Sequence, residues 1–178
     1  MTHAPAGLAA PRAARAARHR LWWCLMGATA LLLSLDQFVK WVIATSLPRG
    51  EVMAISAWFN LVHVLNPGAS FSFLADAGGW QRWFFIALAT GISAWLALAL
   101  LKPRQPLETT GYCLILGGAL GNLTDRVFRG YVVDSLDFHW AGWHWPAFNL
   151  ADLAITLGVG IFLAAGSVCR SPRHGATN

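Results

Sequence analysis

Apolar residues dominate four stretches of the chain, residues 21–43, 83–101, 107–127 and 150–168, and each run is bounded by charged or turn-forming residues. A helix crosses a hydrocarbon core with about 20 residues, so the pattern predicts four transmembrane helices. Between the first two runs, residues 51–74 are apolar and aromatic, but Asn60, His63 and the turn Asn66-Pro67-Gly68 interrupt them, so this segment is not expected to span. Ile55, Trp58, Phe59, Val62 and Val64 before the turn, with Phe71 and Phe73 after it, are strand formers and predict a small sheet on the outer membrane surface. Residues 128–149 read as a loop between the last two spans. Residues 1–20, rich in Ala, Arg and Pro, read as a disordered tail.

Composition agrees with a membrane protein: of 178 residues, 56% are apolar and 12% charged, which leaves no room for a separate soluble domain. The domain expected is residues 21–169, followed by a short tail from 170 to 178. The net charge of +5 does not point to nucleic acid, because the basic residues sit at the ends of apolar runs. Arg12, Arg15, Arg18 and Arg20 precede the first span, Lys102 and Arg104 separate the second from the third, and Arg170 and Arg173 follow the fourth. By the positive-inside rule those segments are cytoplasmic, both termini included, and residues 44–82 and 128–149 face outward. A cleavable signal peptide is not expected, because the first run continues through Asp36 and Lys40 and no small-residue cleavage site closes it. Cys24, Cys113 and Cys169 lie within apolar segments and read as packing residues. Trp80, Trp83, Trp140, Trp143 and Trp145 fall near predicted helix ends, where indole rings anchor at the interface.

Charges at membrane depth cost roughly 2.5–3.5 kcal/mol each, so every ionisable residue in a span needs an explanation. Asp36 and Lys40 are four apart on one helix face and can pair, either as a structural ion pair or as part of a site. The third span ends with Gly117, Gly118 and Gly121, which permit close helix contact, and with Asn122, Asp125 and Arg126, a polar knot in which Arg126 can neutralise Asp125. Asn149 is a natural N-cap for the fourth span, and Asp152 falls in its first turn, where a carboxylate is favoured. Topology weighs against capping alone: Asn122, Asp125, Arg126, Asp134, Asn149 and Asp152 are all expected at one membrane face. Two carboxylates there that share a proton would relieve their repulsion and form a catalyst, one activating water and the other polarising a carbonyl. His139 and His144 beside Asp137 match no closed metal motif, and no metal or other cofactor is expected. No Ser or Cys nucleophile stands in a suitable context.

Five segments, Asp36-Gln37-Phe38-Val39-Lys40, Asn66-Pro67-Gly68-Ala69, Gly121-Asn122-Leu123-Thr124-Asp125-Arg126, Val132-Val133-Asp134 and Phe148-Asn149-Leu150-Ala151-Asp152, together resemble the ordered motif series of the lipoprotein signal peptidases. The resemblance runs from the first span to the fourth. It implies an all-α membrane protein of four transmembrane helices, with a small periplasmic β-sheet cradle and a periplasmic lid before Asn149. It also implies an aspartic endopeptidase of the bacterial inner membrane, a monomer surrounded by lipid, that cuts diacylglyceryl-modified prolipoproteins before the lipidated cysteine. In that pattern Asp134 and Asp152 match the catalytic pair, and Asn66, Asn122, Arg126 and Asn149 match the residues that hold substrate. Asp36, Lys40, Gly68 and Asp125 match positions that support the site. Ser135 and Ser70 depart from the pattern, which puts the packing of the substrate pocket in question. A proton-coupled transporter, with Asp36, Lys40 and Asp125 relaying charge, and an inert membrane scaffold are the other readings of the same residues.

Overall fold

The computed structural model describes residues 12–68, 78–102 and 104–170. Ala69, Ser70, Phe71, Phe73 and Arg173 lie outside the described residues, as does the side chain of Cys169. Four helices form where the apolar runs are: α1 (Arg12–Ser46), α2 (Trp80–Leu100), α3 (Pro106–Phe128) and α4 (Leu150–Arg170). The first begins earlier than expected. Residues 12–20 are helical rather than a disordered tail, because Ala and Arg are strong helix formers and the segment extends a helix already nucleated by the apolar run.

Three helical segments, His19–Ser46, Trp80–Leu100 and Leu150–Ser167, are long and apolar enough to cross a membrane. The remaining helix, α3, carries Glu108, Asp125 and Arg126 and is packed between the other three, with Asn122, Asp125 and Arg126 buried. Its glycines set the packing distance. A Cβ at Gly111 would lie 2.9 Å from the carbonyl oxygen of Gly158, and one at Gly118 would strike the Ala151 backbone, so α3 and α4 meet at backbone contact. A cluster of Leu96, Leu100, Tyr112, Cys113 and Leu116 fills the opposite end between α2 and α3.

The expected small sheet forms, and the part expected after Asn66-Pro67-Gly68, with Phe71 and Phe73, lies outside the described residues. Four antiparallel strands lie in sequential order: β1 (Val52–Ser56), β2 (Phe59–Asn66), β3 (Val132–Trp140) and β4 (Trp143–His144). The tight turn is at Ala57-Trp58, and β2 pairs on its other side with β3, opposing Asn60 to Asp137 and Val64 to Asp134. Residues 132–140 are thus a strand and not a loop, with Val132 to Ser135 all buried. Ala141 and Gly142 both take positive φ (50° and 84°), the geometry a two-residue hairpin needs to return the chain into β4. Trp140 and Trp143 pair across that hairpin, so neither stands at a helix end.

Candidate active site

Two backbone devices bring the ends of α3, β3 and α4 together. The amides of Ser135 and Leu136 both donate to the carbonyl of Phe148, at 2.9 and 2.8 Å, and Phe148 donates back to Leu136 at 3.0 Å. This ties the residue before Asn149 to β3 directly beside Asp134. At the start of α4, the Asp152 amide donates to Oδ1 of Asn149 at 3.0 Å, and the Asn149 amide donates to Oδ2 of Asp152 at 3.3 Å, a reciprocal capping box. The capping role read for Asp152 is therefore real, and it leaves the other carboxylate oxygen for Asn122, whose Nδ2 donates to it at 2.8 Å.

Asp134 is 2% exposed and receives two asparagine side chains, Asn149 at Oδ1 (2.7 Å) and Asn66 at Oδ2 (3.0 Å). Burial raises its pKa to about 7, with the charge of Asp152 adding to the rise, while the Asn66 and Asn149 hydrogen bonds and Lys40 oppose it. Each of the three asparagines has its oxygen fixed by a donor. Asn66 Oδ1 takes the Gly68 amide at 3.0 Å, Asn122 Oδ1 takes Lys40 Nζ at 3.0 Å, and Asn149 Oδ1 takes the Asp152 amide. Their NH2 groups are left to face the two carboxylates.

Beneath the pair lies a buried ionic cluster. Lys40, wholly buried, sits 2.9 Å from Asp36 and 3.1 Å from Asp125, so the expected Asp36–Lys40 pair forms and gains a second carboxylate. Asp36 also accepts the free Ala151 amide of the first turn of α4 at 3.0 Å, and Asp125 accepts the Val133 amide of β3 at 3.1 Å. The anticipated Asp125–Arg126 pair does not form. Asp125 pairs instead with Arg129, one turn on. Arg126 turns away to donate to the Gly68 carbonyl at 2.6 Å, with its guanidinium 5.0 Å from the Phe85 ring and its Nε buried without a partner among the described residues.

All ten residues singled out from the sequence fall in this region: Asp134 and Asp152 with Asn66, Asn122 and Asn149 around them, Gly68 and Arg126 at one side, and Asp36, Lys40 and Asp125 below. Arg129 and Gln37 were missed. Gln37 accepts from Arg129 at 3.0 Å and donates to Asp125 and Asp36, each at 3.2 Å, and to the Gly121 carbonyl at 3.1 Å. The spacing of Asp125 and Arg129, four residues on one helix, was the signal available for the arginine. Ser135 is fully buried, and its hydroxyl has no partner among the described residues. His144 bonds Asp137 at 2.9 Å, and Asn60 bonds the same carboxylate at 2.8 Å, a polar cluster of the sheet; no group of three metal-ligating side chains occurs among the described residues. A cavity of about 330 Å³ opens beside Asp152, lined also by Trp145, Phe148, Leu153 and Thr156. Trp145 and Phe148 continue into an aromatic groove of about 600 Å³ with Trp58 and Trp143.

Residues 28–167 match the family model described as signal peptidase (SPase) II. The chain is 52% identical over 143 residues to a lipoprotein signal peptidase of Serratia marcescens, covering 80% of this chain and 84% of that one. It is 48% identical over 155 residues to a lipoprotein signal peptidase of Cupriavidus necator, covering 86% of each. Two solved structures, both described as bacterial membrane enzymes, superpose with TM-scores of 0.75 and 0.71 at 27% identity, over 87% and 84% of this chain and 94% of theirs.

Proposed function

Because the chain belongs to the signal peptidase II family, we propose that it removes the signal peptide from diacylglyceryl-modified prolipoproteins by aspartic catalysis at Asp134 and Asp152. The observation that carries the mechanism is the shared environment of the two carboxylates. Asn149 touches both, and burial, with the charge of Asp152 added to it, raises the pKa of Asp134 to about 7, so Asp134 exchanges a proton near neutral pH. One member, ionised, takes a proton from water. The resulting oxygen attacks the scissile carbonyl carbon while the protonated member hydrogen-bonds the carbonyl oxygen. The tetrahedral intermediate then breaks its C–N bond as the amine nitrogen takes a proton, with no covalent acyl-enzyme. Because the carboxylates act as a pair, the proton belongs to both.

Asn66, Asn122 and Asn149 hold the carboxylates and, with Arg126, the substrate backbone, the Nε of Arg126, which has no partner among the described residues, being a ready donor to a substrate carbonyl. Asp36, Lys40, Gly68 and Asp125 keep those residues in place. The three long apolar helices and the interior helix α3 together form a four-span bundle in the inner membrane. Both termini are cytoplasmic by charge bias, the sheet and the β3–β4 hairpin cradle and cover the site on the periplasmic side, and the protein works as a monomer. A lipid-anchored substrate presents its cut site at that depth, and the apolar cavity beside Asp152 suits its approach. Charge relay through Asp36, Lys40 and Asp125 is disfavoured, since each of them is engaged in the brace.

The test is cleavage of a diacylglyceryl-modified prolipoprotein in detergent by the wild type, Asp134→Asn and Asp152→Asn, each shown to be folded. Cleavage before the lipidated cysteine by the wild type, and none by either variant, is expected. Near wild-type cleavage by one variant removes that aspartate from the mechanism and leaves it a structural cap.

A further inference from the structure

The buried cluster beneath the carboxylate pair contains two acids, Asp36 and Asp125, both essentially without exposure. One cation, Lys40, lies against both of them. A single ammonium cannot neutralise two carboxylates, and the second positive charge comes from Arg129, which closes on Oδ1 of Asp125 from the end of α3. With it the cluster reaches two charges of each sign. Gln37 fixes Arg129 in place, accepting from it with Oε1 at 3.0 Å while its own amide nitrogen donates to Asp36 and Asp125.

The contacts continue toward the reacting groups. Arg129 and Gln37 occupy Oδ1 of Asp125, so Lys40 meets Asp125 through Oδ2 and still reaches Oδ1 of Asn122 at 3.0 Å. Asn122 in turn donates to Asp152 at 2.8 Å. We propose that Arg129, seated by Gln37, is a positioning residue for the proteolytic reaction: it balances Asp125 so that Lys40 remains on Asn122 and Asn122 remains on Asp152. The inference rests on the aspartic reading of the site and adds to it a residue that touches neither carboxylate of the pair. Loss of Arg129 leaves one uncompensated negative charge under the pair and draws Lys40 toward Asp125. Both changes favour the protonated form of the reacting carboxylates and move the pH at which one of them ionises upward.

The experiment measures kcat and KM for cleavage of a diacylglyceryl-modified prolipoprotein by the detergent-solubilised full chain, from about pH 5 to about pH 9, with Arg129→Gln and Arg129→Lys. Arg129→Gln is expected to lower kcat about five- to tenfold with KM within about twofold, and to shift the acidic limb of the kcat profile upward by about half a pH unit. Arg129→Lys restores most of both. Because Arg129 is partly exposed, the difference between wild type and Arg129→Gln narrows in high salt. Should Arg129→Gln not fold, Gln37→Met tests the same link without altering charge, and a smaller shift in the same direction is expected. A folded variant with the wild-type profile overturns the proposal, as does a loss of kcat with an unmoved profile that lysine does not rescue. A wild type that fails to cut at all overturns the aspartic reading instead.

Discussion

The ammonium of Lys40 lies 3.0 Å from Oδ1 of Asn122, and that contact decides which way the Asn122 amide faces. With its oxygen on a cation, Asn122 can offer Asp152 only its NH2 group, which is the orientation seen at 2.8 Å. Lys40→Met should therefore harm the site twice. It leaves Asp36 buried without its cation, at a cost of about 3–5 kcal/mol in stability, and it frees Asn122 to rotate. Denaturant unfolding and cleavage rates together check this. A variant with normal stability would mean that Lys40 does not compensate Asp36 in the folded protein.

Asp134 gives the folded protein a pH dependence of definite sign. Its pKa rises from the usual carboxylate value to about 7, so the folded state binds a proton that the unfolded state has released between those values. Stability from this group is full below about pH 4 and is lost as pH rises through about 7, by at most about 4 kcal/mol. Measured against Asp134→Asn, the wild type should lose unfolding free energy across that window and run parallel to the variant above it. A wild type that runs parallel to the variant over the same range would show that Asp134 ionises as an ordinary carboxylate.

The α3–α4 contact predicts opposite results for two identical substitutions. Gly118→Ala drives a methyl group into the Ala151 backbone, spreads the helices and moves Asp152 away from Asn122, so both stability and cleavage should fall. Gly160→Ala on the same helix pair meets nothing within 4 Å and should leave cleavage unchanged while stabilising α4 by up to about 1 kcal/mol. Thermal unfolding and cleavage of the two variants side by side decide it.

Ser135 carries a fully buried hydroxyl with no partner among the described residues. Ser135→Ala should raise stability by about 1 kcal/mol, because it deletes a desolvated polar group at the cost of one small void. A loss of stability would reveal a hydrogen bond to this hydroxyl.

Much of the site could be read where it depends on short spacings. Asp36 with Lys40 and Asn149 with Asp152 are helix-local pairs, and helical geometry fixes them whatever the rest of the chain does. Apolar runs likewise placed the helices to within a few residues, apart from the extension of α1 over residues 12–20, where good helix formers simply continued a helix already begun. Strand pairing was harder. Asn66-Pro67-Gly68 is a strong turn signal, yet the partner of β2 lies far along the chain at residues 132–140, whose carboxylates read as loop polarity. Nothing in the linear pattern reveals that Asp134 and Asp137 stand opposite Val64 and Asn60. Gln37 was invisible for a similar reason, since its three partners outside α1, Gly121, Asp125 and Arg129, come from α3 and the residue that follows it.

The four-residue spacing of Asp36 and Lys40 also bears on how such a protein is made. The first helix must enter the bilayer long before Asp125 and Arg129 have been synthesised, at a stage when two lone charges would resist partition into lipid. Carried on one face and within 2.9 Å of each other, they travel as a matched pair. The nascent helix therefore supplies its own counterion, and Lys40 is handed a second carboxylate only when the third helix arrives.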